Sequence, residues 1–203
     1  SAGIIECVNY ALSSLGQPLE TPERIRHTIG LSLVDAYAHL ASPETPVDDR
    51  AREFARLFIE HADEIMVERT TLYPGVEEVM HTLQQAGLRL GIVSTKFRYR
   101  IAAILARENL LEPFEVIVGG EDVTQHKPNP ESLLLAIERL GTTKERTLYV
   151  GDSVTDGQAA QRAGLPFVAV LSGVTPEHSL KTYAPLAILD GVTELPALLQ
   201  GRA

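Results

Sequence analysis

Short apolar runs alternate with amphipathic helical segments from residue 73 onward, and this alternation constrains the fold more than any other feature of the chain. Most of the helical segments end at a glycine, which is a common helix stop. Short runs that are apolar throughout are typical of strands covered on both faces. The alternation therefore predicts an α/β fold, a parallel β-sheet with helices on both faces. The predicted strands span residues 88–94, 115–118, 147–150, 167–171 and 186–189, and the predicted helices span 76–86, 99–109, 130–140, 154–163 and 194–199.

The first 72 residues have a different pattern. Apolar residues recur there at the spacing of three and four that marks one face of a helix, and no segment has the pattern of a strand. Thr21-Pro22 is a typical helix start, with a capping residue followed by proline at the first helical position. We therefore predict an all-helical domain at residues 1–72 and an α/β domain at residues 73–203.

Charge and cysteine usage exclude several classes of protein. The 203 residues carry a formal net charge of −9 and a single cysteine, Cys7. Negative charge disfavours binding to a phosphate backbone, and one cysteine cannot form an intrachain disulfide. No apolar run reaches the roughly 18 residues of a membrane helix, and no basic segment precedes an apolar one as in a signal peptide. We expect a cytoplasmic protein that binds neither nucleic acid nor a membrane; the sequence leaves its oligomeric state open.

Polar residues follow the predicted strands at the positions where ligands bind in parallel α/β sheets. Ser94 and Thr95 follow the first strand, Lys127 lies in the segment after the second, and Asp152 and Asp156 follow the third. Carboxylates suit Mg²⁺, and a hydroxyl with an ammonium can hold phosphoryl oxygens. Each residue alone is typical of a helix cap or a solvated loop. The hypothesis of a magnesium and phosphate site therefore rests on the whole set.

Three segments of the chain resemble motifs of the haloacid dehalogenase (HAD) superfamily of phosphohydrolases. They are Gly-Ile-Val-Ser-Thr-Lys (91–96), His-Lys-Pro-Asn-Pro-Glu (126–131) and Val-Gly-Asp-Ser-Val-Thr-Asp (150–156). The chain looks most like the phosphoglycolate phosphatase and pyrophosphatase branch, whose helical cap resembles residues 1–72. The resemblance implies a HAD-like core and Mg²⁺-dependent hydrolysis of a small phosphorylated metabolite, such as 2-phosphoglycolate, through a phosphoaspartyl intermediate.

The resemblance also implies a role for each site residue. Ser94 and Lys127 would act catalytically on the phosphoryl group, and both would bind substrate together with Thr95, where relatives often have Asn. Asp152 would ligate Mg²⁺. Asp156 would support the metal site or orient Lys127.

The first motif of the family, Asp-x-Asp-x-Thr, does not occur in the chain. In relatives it supplies the nucleophilic aspartate at the end of the first, central strand, just before the cap. The chain begins with residues that resemble the start of that cap, so we expect a truncated sequence that lacks this strand. The expected consequences are an open slot between the strands that end at Ser94 and Asp152, poor stability or aggregation, and no turnover by the chain as written.

Three other interpretations stay open. A pyrophosphatase of the same superfamily would use the same site residues, and a degenerate relative would bind phosphate or a protein partner without catalysis. A receiver-type module also combines acids, a hydroxyl and a lysine on a parallel sheet. Receivers resemble the reverse order, however, with the acids near the N-terminus, and they have no helical cap. The joint presence of Ser94, Lys127, Asp152 and Asp156 favours the phosphohydrolase.

Overall fold

The structure, a computed structural model, describes residues 2–41 and 47–201. The chain divides into two compact units, Ser1–Thr71 and Leu72–Ala203. The sequence pattern places this boundary one residue later. In the described ranges, no helix is both long enough and apolar enough to span a membrane.

The described part of the first unit is helical, as predicted. Its helices are α1 (Ala2–Ser14), α2 (Pro22–His27), α3 (Leu33–Leu40) and α4 (Val47–Arg69). The Thr21 hydroxyl accepts a hydrogen bond from the Arg24 N–H, so Thr21 caps α2 as the sequence indicates. The buried core of this unit includes Leu12, Tyr37 and Phe54.

Strands and helices alternate in the second unit, and its strand pairs are parallel. The strands are β1 (Leu90–Val93), β2 (Phe114–Val118), β3 (Tyr149–Gly151), β4 (Phe167–Val170) and β5 (Ala187–Leu189). The helices are α5 (Val76–Gln85), α6 (Arg98–Arg107), α7 (Glu131–Leu140), α8 (Val154–Ala163), α9 (Glu177–Lys181) and α10 (Leu195–Gln200). β1 pairs with β2, and β4 lies between β3 and β5. The predicted α/β class is therefore confirmed, although α9 was not anticipated by the sequence pattern.

Helices cover both faces of β2, which explains why its sequence is apolar with little alternation. Val116 and Val118 pack with Ala136 and other residues of α7. Ile117 packs instead with a cluster that contains Ile101 of α6. The strand is thus held between two helical layers.

The predicted start of the first strand at residue 88 is wrong, because the backbone N–H of that residue is hydrogen-bonded back to the last turn of α5. Gly87 adopts a left-handed φ of 76°, and the Leu88 N–H donates to the Leu83 carbonyl at 3.1 Å. This hydrogen bond closes the helix end, so the backbone is free to pair only from Leu90. The third strand likewise begins at Tyr149, because a 3₁₀ turn at Lys144–Arg146 precedes it.

β1 and β3 lie in different sheets in the described part of the chain, and each pairs with one strand only. Apolar residues of both strands nevertheless pack in the same clusters: Val93 with Tyr149, and Leu90 with Val150. Residues of β1 and β3 are half-buried or exposed, whereas every residue of β4 is buried. The resemblance described above implies an additional strand between β1 and β3, and that strand stays a prediction.

Candidate active site

Ser94 follows β1 at its carboxyl end, in a loop that hydrogen bonds tie to the loop after β2. The Ser94 N–H donates to the Val118 carbonyl at 3.0 Å, and the Gly120 N–H donates to the Lys96 carbonyl at 2.9 Å. The Ser94 Oγ accepts the Lys96 N–H at 3.1 Å. The two strand ends are therefore locked in register. A Cβ on Gly120 would come within 2.6 Å of the Thr95 carbonyl oxygen, so this approach requires glycine.

Lys127 and Asp156 form a nearly buried ion pair. The Lys127 Nζ lies 2.7 Å from the Asp156 Oδ1, and the two side chains are 11% and 5% exposed. The Tyr149 hydroxyl donates to the same Oδ1 at 2.7 Å and accepts a hydrogen bond from the Lys127 Nζ at 3.2 Å. Lys127 is thus held at the N-terminal end of α8, beside the end of β3.

The other oxygen of Asp156 holds the loop between β3 and α8. The Asp156 Oδ2 accepts from the Asp152 N–H at 3.2 Å, the Ser153 N–H at 3.0 Å and the Ser153 hydroxyl at 2.6 Å. Burial by itself would raise the pKa of Asp156, but the charge of Lys127 and the hydrogen bonds from Lys127, Ser153 and Tyr149 outweigh it and lower that pKa. Asp156 is therefore a permanent carboxylate whose oxygens are both occupied by donors from the protein.

Asp152 differs from Asp156, because its carboxylate accepts no hydrogen bond from another described residue and forms no ion pair with one; the hydrogen bond it accepts comes from its own backbone N–H. Its surroundings raise its pKa: partial desolvation contributes most, followed by the negative charge of Asp156. Gly173 closes one side of the carboxylate so tightly that a Cβ there would lie 2.0 Å from the Asp152 Oδ2. A carboxylate that lacks a partner and repels a second acid is suited to binding a cation.

The donor set fits Mg²⁺ with few protein ligands. The described residues contain no group of three or more His, Cys, Asp or Glu side chains that could hold a metal by themselves. Mg²⁺ is commonly bound by one or two carboxylates together with waters and phosphate oxygens. Asp152 can supply one such carboxylate. The prediction that Asp156 also ligates the metal stays a prediction, and its occupied oxygens favour its other predicted role, the orientation of Lys127.

A second lysine adds positive charge at this edge of the sheet. Lys96 is half-buried, and its ammonium forms no ion pair with another described residue. Burial lowers its pKa, the negative charge of Asp152 opposes that shift, and the positive charge of Lys127 adds to it. These mutual effects indicate that the loop after β1 and the loop after β3 face a common space, where an anion would be attracted.

A carboxylate on α7 fixes the segment that carries Lys127. Glu131 accepts hydrogen bonds from the backbone N–H groups of Thr124 and Gln125, both at 2.9 Å. These two hydrogen bonds lower the pKa of Glu131. The Arg162 guanidinium of α8 donates to the Pro128 carbonyl at 3.1 Å. The loop is thus tied on both sides of Lys127.

Hydrogen bonds join the side chains of Lys127 and Asp156, and the backbone N–H of Asp152 donates to Asp156; the role assigned to each of these residues stays a prediction. Ser94 and Thr95 follow β1, which lies in a different sheet from β3 in the described part of the chain, and no hydrogen bond or ion pair joins them to the other three. Sequence reasoning missed Tyr149, which looked like an ordinary core residue of a strand. It also missed the reciprocal capping of Ser153 and Asp156, although the pattern Ser-x-x-Asp is a recognised signal for that cap.

Loops that follow parallel strands and carry a hydroxyl, two ammonium groups and a carboxylate without a partner from another described residue form the type of site that α/β phosphohydrolases use. Residues 1–170 match the family model of the haloacid dehalogenase-like hydrolases. The chain belongs to the haloacid dehalogenase-like hydrolase family.

Individual relatives narrow the class of enzyme. The chain is 36% identical over 175 residues to the phosphoglycolate phosphatase of Salmonella paratyphi A, covering 86% of this chain and 67% of that protein. It is 36% identical over 216 aligned positions to that of Salmonella typhi, covering 97% and 86%. A solved structure from Bacteroides fragilis, described as a haloacid dehalogenase-like hydrolase, has a TM-score of 0.91 and 36% identity, covering 96% and 91%. These relatives place the chain among the phosphatases of the family.

Proposed function

We propose that this site serves the Mg²⁺-dependent hydrolysis of a small phosphate ester, with 2-phosphoglycolate as the first candidate. The observation that carries the proposal is the ion pair of Lys127 and Asp156 beside the unpartnered carboxylate of Asp152. The ammonium and the carboxylate provide what a phosphoryl group and its metal need, at the edge of the sheet where ligands bind. The choice of ester follows the Salmonella relatives, which are phosphoglycolate phosphatases.

Each residue has a proposed task in this reaction. The Ser94 hydroxyl donates to one phosphoryl oxygen, with Thr95 beside it, and the Lys127 ammonium holds a second oxygen and offsets negative charge in the transition state. Asp152 ligates Mg²⁺, which neutralises charge on the phosphoryl group when it is bound. Asp156 holds the Lys127 ammonium in place through their ion pair.

The covalent step needs an aspartate that is absent from these 203 residues, because Asp-x-Asp-x-Thr does not occur in them. In the proposed reaction a carboxylate oxygen of that aspartate attacks phosphorus, and the ester P–O bond breaks with protonation of the leaving alcohol. Water then attacks the phosphorus and releases inorganic phosphate, which regenerates the carboxylate. The 203-residue chain by itself is therefore proposed to bind phosphate without turning over an ester.

A phosphate-release assay with and without Mg²⁺ tests this proposal. The assay compares the 203-residue chain with an extended chain that carries a strand ending in Asp-x-Asp-x-Thr ahead of Ser1. We expect turnover of 2-phosphoglycolate by the extended chain only, and loss of that turnover without Mg²⁺. Turnover by pure 203-residue chain would contradict the proposed source of the nucleophile. Faster release from pyrophosphate than from 2-phosphoglycolate would favour the pyrophosphatase alternative.

Matched variants of the extended chain distinguish the loss of a site residue from the general effects of any substitution on turnover. Lys127→Met should reduce turnover about 100- to 1,000-fold, as expected for removal of one charge-stabilising donor. Lys144→Met removes an exposed lysine from a 3₁₀ turn and should leave turnover unchanged. Asp152→Asn should abolish the response to Mg²⁺, whereas Asp190→Asn, at an exposed position, should preserve it. Equal activity of Lys127→Met and Lys144→Met would rule out the assigned role of Lys127.

A further inference from the structure

The ring of Tyr149 is anchored in the core of the second unit. Tyr149 pairs with Phe167 in the register of β3 and β4, and the two rings stack with centroids 6.3 Å apart. The same cluster contains Leu133 of α7 and Ala159 of α8, both buried. Because the ring is held by strand pairing and by packing against two helices, the position of its hydroxyl is fixed by the fold rather than by the loops of the site.

The hydroxyl completes a triangle of hydrogen bonds. It donates to the Asp156 Oδ1 at 2.7 Å, while the Lys127 Nζ donates to both the Tyr149 oxygen, at 3.2 Å, and the same Oδ1, at 2.7 Å. Burial first, and then the negative charge of Asp156, raise the pKa of Tyr149 well above its usual value. Because the Lys127 ammonium can only donate, the Tyr149 oxygen accepts from it, and the hydroxyl hydrogen is directed at the Asp156 carboxylate.

This triangle fixes the orientation of the Lys127 ammonium. An ammonium has three N–H donors, and two of them are used by Tyr149 and Asp156. With Asp156 alone, the group could turn about a single contact. With two acceptors in fixed positions the ammonium cannot rotate freely, so its third N–H points in one fixed direction.

We propose that Tyr149 is a positioning residue, which holds the Lys127 ammonium so that its remaining N–H is directed at the phosphoryl group. The inference rests on the proposed function, because it takes Lys127 as the group that contacts phosphate. It assigns a specific task to a hydroxyl in a strand that otherwise looks purely structural.

The first test measures the ammonium itself by NMR of protein labelled with ¹⁵N-lysine, without any ligand. The parent should show a slowly exchanging ammonium signal that Lys127→Met lacks. Tyr149→Phe, which keeps the ring, should lose that signal or exchange its protons with water at least about fivefold faster. Tyr183→Phe is the matched control, since its ring packs against Gly157 while its hydroxyl makes no hydrogen bond to a described residue. It should preserve the signal.

An unchanged Lys127 signal in Tyr149→Phe would overturn the inference, and so would the absence of a slowly exchanging signal in the parent. The signal of the parent can be measured without any Tyr149 variant, so the inference stays testable even if Tyr149→Phe folds poorly.

The second test links the position of the ammonium to phosphate. Isothermal titration with inorganic phosphate and Mg²⁺ should give about tenfold weaker binding for Tyr149→Phe than for the parent or Tyr183→Phe. Equal phosphate affinity with a lost NMR signal would contradict the proposal, because the orientation would then not matter to the ligand. If neither the parent nor Lys127→Met binds phosphate, the proposed function fails, and the NMR result still decides whether Tyr149 holds Lys127.

Discussion

Replacing Gly151 by alanine should unfold the site without removing any functional group. A Cβ at position 151 would lie 2.5 Å from the Cβ of Asp156 and 2.7 Å from its Cγ. Carbon atoms that are not bonded normally stay about 3.5–4.0 Å apart, so the two residues must separate by about 1 Å. Because the conflict involves the Asp156 Cβ itself, rotation of the carboxylate cannot relieve it, and either β3 or α8 must shift.

The free-energy cost of that shift has two contributions, steric overpacking and weakened hydrogen bonds. Overpacking a tight contact typically costs about 1–3 kcal/mol, and weakened hydrogen bonds to a charged group cost about 1.5–3 kcal/mol. The free energy of unfolding should therefore fall by about 3–5 kcal/mol. For a protein of this size, that change corresponds to a melting temperature about 10 °C lower.

Thermal unfolding followed by circular dichroism measures this effect in the chain as it stands. Gly191→Ala is the matched control, since the nearest atom to a Cβ there is the Thr193 Oγ1 at 3.9 Å. The control should melt close to the parent. If Gly151→Ala melts at the same temperature as Gly191→Ala, the packing of Gly151 against Asp156 is not what holds the site together.

Other predictions address single interactions. Asp156→Asn leaves the buried Lys127 ammonium without a counter-charge and should cost about 3–5 kcal/mol in urea unfolding; a loss below 1 kcal/mol would contradict this. Tyr37→Phe removes a buried hydroxyl without a hydrogen-bond partner among the described residues and should add about 1–2 kcal/mol to the free energy of unfolding, whereas a loss would reveal a partner. Because the pKa of Glu131 is lowered, its contribution to stability is complete above its unfolded pKa, about 4.3, and disappears as pH falls through its lower folded value. Glu131→Gln should therefore flatten the acid side of the stability curve, and an unchanged curve would argue against a stabilising role for the hydrogen bonds from Thr124 and Gln125 to Glu131. Because the pKa of Asp152 is raised, Mg²⁺ binding measured by titration should weaken as pH falls through that raised value, and Asp152→Asn should remove the dependence.

Local chemistry explains why much of the fold can be predicted from the sequence. Gly141 and Gly164 end α7 and α8 in left-handed backbone conformations with φ of 59° and 70°, and each precedes a strand. The apolar run after Gly164 forms β4, whose residues are all buried, so its composition marks it as a strand of a parallel sheet, whereas the run after Gly141 forms the half-buried β3. The sequence places the start of the first strand too early, because Leu88 is apolar while its backbone N–H is already hydrogen-bonded to the preceding helix.

The parts of the site that could not be predicted depend on contacts between distant segments. Tyr149 looks like any strand residue until the register of β3 places its hydroxyl against Asp156 and Lys127. Gly173 lies 21 positions after Asp152 and closes on it only through the loop after β4. Asp156 has both carboxylate oxygens occupied by donors, whereas Asp152 has no partner from another described residue. Both environments arise from the conformation of the loop between β3 and α8. No spacing rule distinguishes them.

The central claim is that Ser94, Lys127 and Asp152 converge on one phosphoryl group and its metal. A crystal structure of the chain grown with Mg²⁺ and tungstate, a heavy-atom analogue of phosphate, measures this convergence directly. We predict anomalous density for tungstate within hydrogen-bond distance of the Ser94 Oγ and the Lys127 Nζ, with Mg²⁺ on the Asp152 carboxylate. Tungstate bound away from these three side chains would contradict the account.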